Sequence, residues 1–124
     1  MARILVIDDE DQLRDLLRLM LERAGHDVLE APDGDVGVAT VSAQQVDMVI
    51  TDMVMPNKEG SETIREIRKS HPQIKIIAIS GGGHRAAEDH VWAPNERGPD
   101  MALAKPFKSQ ELVAAVEQLL GAAA

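Results

Sequence analysis

Three stretches of this chain, Ile4 to Ile7, Val46 to Thr51 and Ile74 to Ile79, are aliphatic without alternation at their centres, and polar residues close each of them. A strand that is apolar at every position has no face to give to water, so it must be covered on both sides. Helices packed on the two faces of a parallel sheet provide that cover, because each parallel connection crosses over through a helix in the right-handed sense.

The segments between the runs agree. Leu13, Leu16, Leu17, Met20, Leu21 and Ala24 recur at helical spacing, and Gly25 stops that helix. Asp27 to Ala31 is a short strand. Pro32-Asp33-Gly34 then turns into a second helix, Asp35 to about Gln44, weakened by Gly37 and several Val and Thr residues. A loop with Pro56 and Gly60 follows the third strand, and Ile64 and Ile67 mark a third helix that ends before His71-Pro72. Met101 to Ala104 is a fifth strand. Leu112, Ala115, Val116, Leu119 and Leu120 form the stripe of a last helix, with Ser109 as its N-cap and Gly121 as its stop. The predicted class is α/β, a doubly wound five-stranded parallel sheet with helices on both faces. With 124 residues the chain is expected to be one domain over 1–124, and the whole protein if Met1 is its natural start.

Composition narrows the function. Thirteen Lys and Arg against 21 Asp and Glu leave a formal charge of −8, which speaks against a nucleic-acid binder and for a cation or a basic protein surface as partner. The chain has no cysteine, hence no disulfide framework, thiolate zinc site or thiol nucleophile. Trp92 and Phe107 are its two aromatic residues, too few for base-stacking platforms. The apolar run at the start ends at Asp8, far short of a signal sequence or the ~18 residues of a membrane span. The expectation is a cytoplasmic protein without membrane contact.

In an open parallel sheet, ligands bind at the carboxyl ends of the strands, where strand order reverses. Here the first strand ends in Asp8-Asp9, the third in Asp52, the fourth in Ser80 and the fifth in Lys105-Pro106. Three carboxylates gathered within ~4 Å repel by roughly 4 kcal/mol per pair at an effective dielectric of ~20. One lysine does not offset that repulsion, whereas a lysine and a divalent cation together neutralise it. Carboxylate oxygens with no nearby His or Cys favour Mg²⁺ over zinc, and Mg²⁺ recruits phosphate oxygens to its remaining positions.

Simpler readings stand beside this one. Asp8, Asp9 and Glu10 fit the N-terminus of the first helix as capping acids, which leaves Asp52 and Lys105 unexplained. Gly81-Gly82-Gly83 lacks the Gly-Lys-Ser/Thr ending of a phosphate loop. His84 and His90 are six apart, a spacing that does not share a helical face, and read as solvated surface. Trp92 is expected to pack on the core or a partner, and Met48, Met53, Met55 and Met101 to fill an aliphatic core. Leu19 and Val113 lie off the main stripes and mark a candidate contact face.

Four blocks, Ile4-Leu5-Val6-Ile7-Asp8-Asp9-Glu10, Thr51-Asp52-Met53-Val54-Met55-Pro56, Ile79-Ser80 and Lys105-Pro106-Phe107, occur in an order and spacing that resemble the receiver domain of bacterial response regulators. The resemblance covers nearly the whole chain. It implies the strand order 2-1-3-4-5 of the flavodoxin-like fold. It implies Asp52 as the acceptor of a phosphoryl group from a histidine kinase or a histidine phosphotransfer protein. It further implies Mg²⁺ on Asp9, on Asp8 mainly through water, on Asp52 and on the Val54 carbonyl. Lys105 and Ser80 would serve the phosphoryl oxygens, the Lys105-Pro106 bond would be cis, and the output would be altered binding of a downstream protein. Such a chain catalyses only its own phosphorylation and dephosphorylation. The competing functions are a Mg²⁺-dependent phosphohydrolase, for which the second acid is missing at Val54, a phosphorylation-independent scaffold, and a receiver cut from a hybrid kinase.

The chain departs from that family in places. Ala102 stands where an aromatic residue usually follows the switch, and the Ser80 to Lys105 interval is about three residues long beyond the family spacing, with Pro94 and Pro99 inside it. Val54 and Gly82 offer no carboxylate or amide to orient a hydrolytic water, while Gly81 leaves the acceptor open to solvent. A regular helix between the fourth and fifth strands is therefore not expected. The readout is expected to be an ordering of His84 to Pro99. Amide exchange there should slow when the phosphate mimic beryllofluoride is added, and unchanged protection defeats this expectation.

Overall fold

The computed structural model describes residues 2–55, 58–81 and 92–122. In chain order the elements are β1 (Arg3–Ile7), α1 (Asp11–Arg23), β2 (Asp27–Ala31), α2 (Gly34–Ala43), β3 (Met48–Asp52), α3 (Gly60–Ser70), β4 (Lys75–Ser80), β5 (Met101–Ala104) and α4 (Ser109–Ala122). The strands pair in parallel in the order β2-β1-β3-β4-β5. The direction of winding reverses between β1 and β3, so the carboxyl ends of these two strands open the crevice where such folds hold ligands.

Alternate residues of each central strand serve opposite faces. Ile4, Val6, Met48, Ile50, Ile77 and Ile79 pack with Leu17 and Leu21 of α1 and with Leu112, Ala115, Val116 and Leu119 of α4. Leu5, Ile7, Val49, Ile76 and Ala78 pack with Val41 of α2 and with Ile64 and Ile67 of α3. Met48, Met53 and Met55 are buried, and Met101 packs against the first of these clusters. This two-sided burial explains why the runs carry no polar alternation.

Local chemistry sets the ends of the helices. The N–H of Gly25, at φ 96°, donates to the Glu22 carbonyl and that of His26 to the Leu21 carbonyl, the paired closure that needs a left-handed residue after α1. Asp33 Oδ1 accepts from the Val36 N–H at 2.9 Å and caps α2. Gly60 starts α3 rather than standing in a loop. Its hydrogen faces the backbone of the third strand, where a Cβ would lie 2.3 Å from the Asp52 carbonyl oxygen and 2.7 Å from Met53 Cα.

Three further sequence expectations are corrected. Leu16 belongs to the apolar periodicity of α1 but is 48% exposed. The helix is covered along Leu13, Leu17 and Leu21, and Leu16 lies to one side. With Leu19, Met20 and Val113 it lines an apolar hollow of about 510 Å³ between α1 and α4. Ser109 is the first residue of α4 instead of its cap, since the Lys108 carbonyl already accepts from Glu111 and Leu112. The cap-side N–H of Lys108 is met by Glu111 Oε1 at 3.3 Å. Gly121 does not stop α4, which continues to Ala122; Gly25 is the one glycine with positive φ among the described residues.

Between β4 and β5 the described residues, Gly81 and 92–100, contain no helix. The remaining positions there, including Gly82, Gly83, His84, Glu88, Asp89 and His90, lie outside the described residues, as does Pro56. The approach to β5 is fastened by Arg68, whose guanidinium donates to the carbonyls of Pro72, Ile74 and Gly98 and to Asp100 Oδ2. Asp100 also accepts from the Ile76 N–H at 2.8 Å. Burial works to raise the Asp100 carboxyl, but Arg68, the Ile76 N–H and Arg97 outweigh it and hold it below the usual range. Trp92 packs against the α2–α3 cluster with Arg65 5.1 Å from its ring centroid.

Substituting Gly60→Ala should lower stability by about 2 kcal/mol or more, because backbone must move to admit the methyl group. Gly121→Ala, with nothing within 4 Å of the added atom, should raise it by about 0.5 kcal/mol through helix propensity. Urea titration of the two variants checks both signs.

Candidate functional site

Each strand end delivers one part of the site. Beyond Ile7 the chain leaves the β1 ladder, and Asp8 turns inward while Asp9 faces solvent. Asp8 is 1% exposed and Asp52, the last residue of β3, 5%. One carboxylate oxygen from each of Asp8, Asp9 and Asp52 lies within 4.8 Å of the others. Lys105, just past β5, brings Nζ to 3.3 Å from Asp52 Oδ2. The other Asp52 oxygen accepts from the Val54 N–H at 3.2 Å, while the Val54 side chain is exposed.

Ser80 ends β4 beside Ala104 in the register of β5, and its carbonyl accepts from the Lys105 N–H at 2.8 Å. Its hydroxyl is buried and has no hydrogen-bond partner among the described residues. The Lys105-Pro106 peptide is cis. Ala102 sits on β5 opposite Ala78 with its side chain exposed, so the edge strand carries no aromatic ring at that register.

The structure therefore brings Asp8, Asp9, Asp52 and Lys105 together, with the Val54 N–H on Asp52, while Ser80 ends the strand next to β3 and makes no side-chain hydrogen bond to these groups among the described residues. The capping alternative for the acids is not what is seen. Glu10 occupies the N-cap of α1 and makes no side-chain cap bond, and Asp8 Oδ1 accepts only as far as the Glu10 N–H, at 2.8 Å. No sequence pattern singles out Arg14, which donates to the Asp8 carbonyl. Its i,i+3 spacing from Asp11 on the first turns of α1 was the one available signal.

Burial raises the Asp8 carboxyl from 3.8 to about 6, the Glu10 N–H acts against the rise, and the charge of Asp52 adds to it. Like charges about 5 Å apart at an effective dielectric near 20 repel by roughly 3 kcal/mol. Asp8 Oδ2, buried and without a hydrogen-bond partner among the described residues, is the atom most in need of a cation. An all-oxygen donor set of three carboxylates beside a lysine suits Mg²⁺ and not zinc.

The folded chain binds the Asp8 proton more tightly than the unfolded chain, so this group favours folding at low pH. That contribution is lost as pH rises from about 4 through about 6. In metal-free protein, Asp8→Asn should raise stability by roughly 2 kcal/mol at pH 7.5 and by little at pH 4. Thermal melts in chelator at the two pH values check it, and an equal gain at both contradicts the assignment.

Comparison with known proteins agrees with this fold. Residues 4–117 match the model of the response regulator receiver domain. The chain is 37% identical over 120 residues to the transcriptional regulatory protein CpxR of Klebsiella pneumoniae, covering 97% of this chain and 50% of that protein. It thus spans about half the length of the curated relatives it matches. The receiver domain protein of Clostridium thermocellum superposes with TM-score 0.81 at 33% identity, over 95% of this chain and 93% of that one. The response regulator TrrA of Thermotoga maritima, crystallised with Mg²⁺ and BeF, gives 0.79 at 30% identity over 96% and 99%. Fold, acidic pocket and sequence match converge, and the chain belongs to the response regulator receiver domains of two-component signalling.

Proposed function

We propose that Asp52 accepts a phosphoryl group from the phosphohistidine of a histidine kinase or phosphotransfer protein, and that the modified site switches binding of a downstream protein. The observation that carries this is the convergence of Asp8, Asp9 and Asp52 within 4.8 Å, with Lys105 beside Asp52 at the reversal of strand order. In the transfer a carboxylate oxygen of Asp52 bonds to phosphorus while the donor's P–N bond breaks and its electron pair leaves with the imidazole. Asp8, Asp9, Asp52 and the Val54 carbonyl would hold Mg²⁺, which supplies charge neutralisation for the phosphoryl oxygens when bound.

The remaining roles fall to side chains already in place. Lys105 keeps its ammonium beside the acceptor as the carboxylate becomes an acyl phosphate, and offers the charge to a phosphoryl oxygen. Ser80, whose hydroxyl has no partner among the described residues, donates to the new group and draws the start of the β4–β5 connection inward. This chemistry is self-modification rather than turnover. The net charge of −8 suits a target with a basic protein surface, and among the described residues no helix is long and apolar enough to cross a membrane. The same site would work unchanged as the receiver of a longer chain.

Incubation with acetyl phosphate and Mg²⁺ should add one phosphoryl group by intact mass. Asp52→Asn or chelator should abolish the label, and Ser80→Ala should retain it. Label that survives Asp52→Asn overturns the assignment. Steady release of phosphate from a simple phosphate monoester such as p-nitrophenyl phosphate would show the hydrolase instead.

A further inference from the structure

Arg14 lies on the second turn of α1 and reaches back to the end of β1. Its Nη1 donates to the Asp8 carbonyl at 2.7 Å, its Nη2 to Asp11 Oδ1 at 2.6 Å and its Nε to Glu30 Oε1 at 3.2 Å. The side chain is mostly buried. Three directions of a planar group are used on three different elements: the β1–α1 turn, α1 itself and β2.

The carbonyl in this set belongs to the peptide that joins Asp8 to Asp9. It lies one residue past the last paired residue of β1, where the ladder no longer supplies a donor. The Asp8 N–H is tied to the Ala31 carbonyl at 3.1 Å and the Glu10 N–H to Asp8 Oδ1 at 2.8 Å. Arg14 is the contact that holds the plane of the peptide between them. No hydrogen bond among the described residues holds the Asp9 carboxylate, so what fixes its starting point, the Asp9 Cα, is the placement of that peptide plane.

Charge alone does not account for the arrangement. Asp11 and Glu30 already balance the guanidinium, and an unbalanced cation beside the pocket would oppose a second cation. We propose that Arg14 is a positioning residue of the phosphoryl site: its fork, braced by Asp11 and Glu30, fixes the Asp8–Asp9 peptide so that both carboxylates converge with Asp52 on one Mg²⁺. This rests on the phosphoacceptor reading above. A lysine keeps the charge but has no planar fork, so it does not substitute.

The test compares Arg14→Ala, Arg14→Lys and, as a control in the last turn of α1, the exposed Arg23→Ala. Mg²⁺ affinity is measured by calorimetry, exchange of the Glu10 amide in metal-free protein by NMR, and the melting temperature on each sample. Both Arg14 variants should bind Mg²⁺ about tenfold more weakly, exchange the Glu10 amide faster, and recover acetyl phosphate labelling at saturating Mg²⁺. Arg23→Ala should bind Mg²⁺ as the wild type does. Wild-type affinity in Arg14→Lys, or tighter binding in Arg14→Ala, shows a charge effect and overturns the proposal. So does a lowered melting temperature with affinity and Glu10 exchange unchanged. A wild-type protein that takes up neither Mg²⁺ nor label defeats the phosphoacceptor reading instead, and the Glu10 exchange then decides by itself whether Arg14 holds the turn.

Discussion

Crowding of Asp8, Asp9 and Asp52 at one edge of the sheet is the constraint around which the rest of this structure is arranged. Like charges at this spacing separate unless the backbone that carries them is held from several sides. Here β1 and β3 are the two central neighbours at the reversal of winding, each paired on both edges. Lys105 is the cation placed against the cluster, and it arrives from the far edge strand. The rigidity of the sheet is therefore part of the chemistry, because the acids are kept together by main-chain pairing that they themselves oppose.

The need for rigidity explains the packing beneath the pocket. Gly60 lets α3 start directly against the backbone of Asp52 and Met53, and its N–H donates to the Met53 carbonyl at 3.0 Å. Gly37 likewise allows α2 to press on Ile7, where a Cβ would lie 2.4 Å from Cδ1. The same residue that weakens α2 as an isolated helix thus draws it onto the sheet. On the opposite face α1 and α4 close over Ile4, Val6, Ile50 and Ile77. The hollow lined by Leu16, Leu19 and Val113 remains open between them.

Much of this was legible beforehand, and the reason differs from element to element. The predicted bounds of β2 and β5, Asp27 to Ala31 and Met101 to Ala104, coincide with the observed ones, because turn residues and breakers flank both. β3 and β4 run to Asp52 and Ser80, one residue further than the aliphatic pattern of Val46 to Thr51 and Ile74 to Ile79 suggests. Main-chain pairing continues there after hydrophobicity has stopped. Leu16 was misplaced since periodicity reports which residues are apolar and not which neighbour covers them. Gly121 was misplaced because a glycine ends a helix only when its backbone turns left-handed, and here it does not.

What the amino-acid order determined was the class of fold and the identity of the strand-end residues. Continuous aliphatic runs admit burial on both faces and nothing else, and the acids and the lysine follow those runs directly. What only the tertiary structure decided was how close these groups come and what holds them. The Asp52–Lys105 contact spans 53 positions, and the Arg14 and Arg68 networks join elements remote in sequence. Such contacts are set by the register of neighbouring strands and the seating of helices, quantities fixed when the whole core packs and present in no local segment.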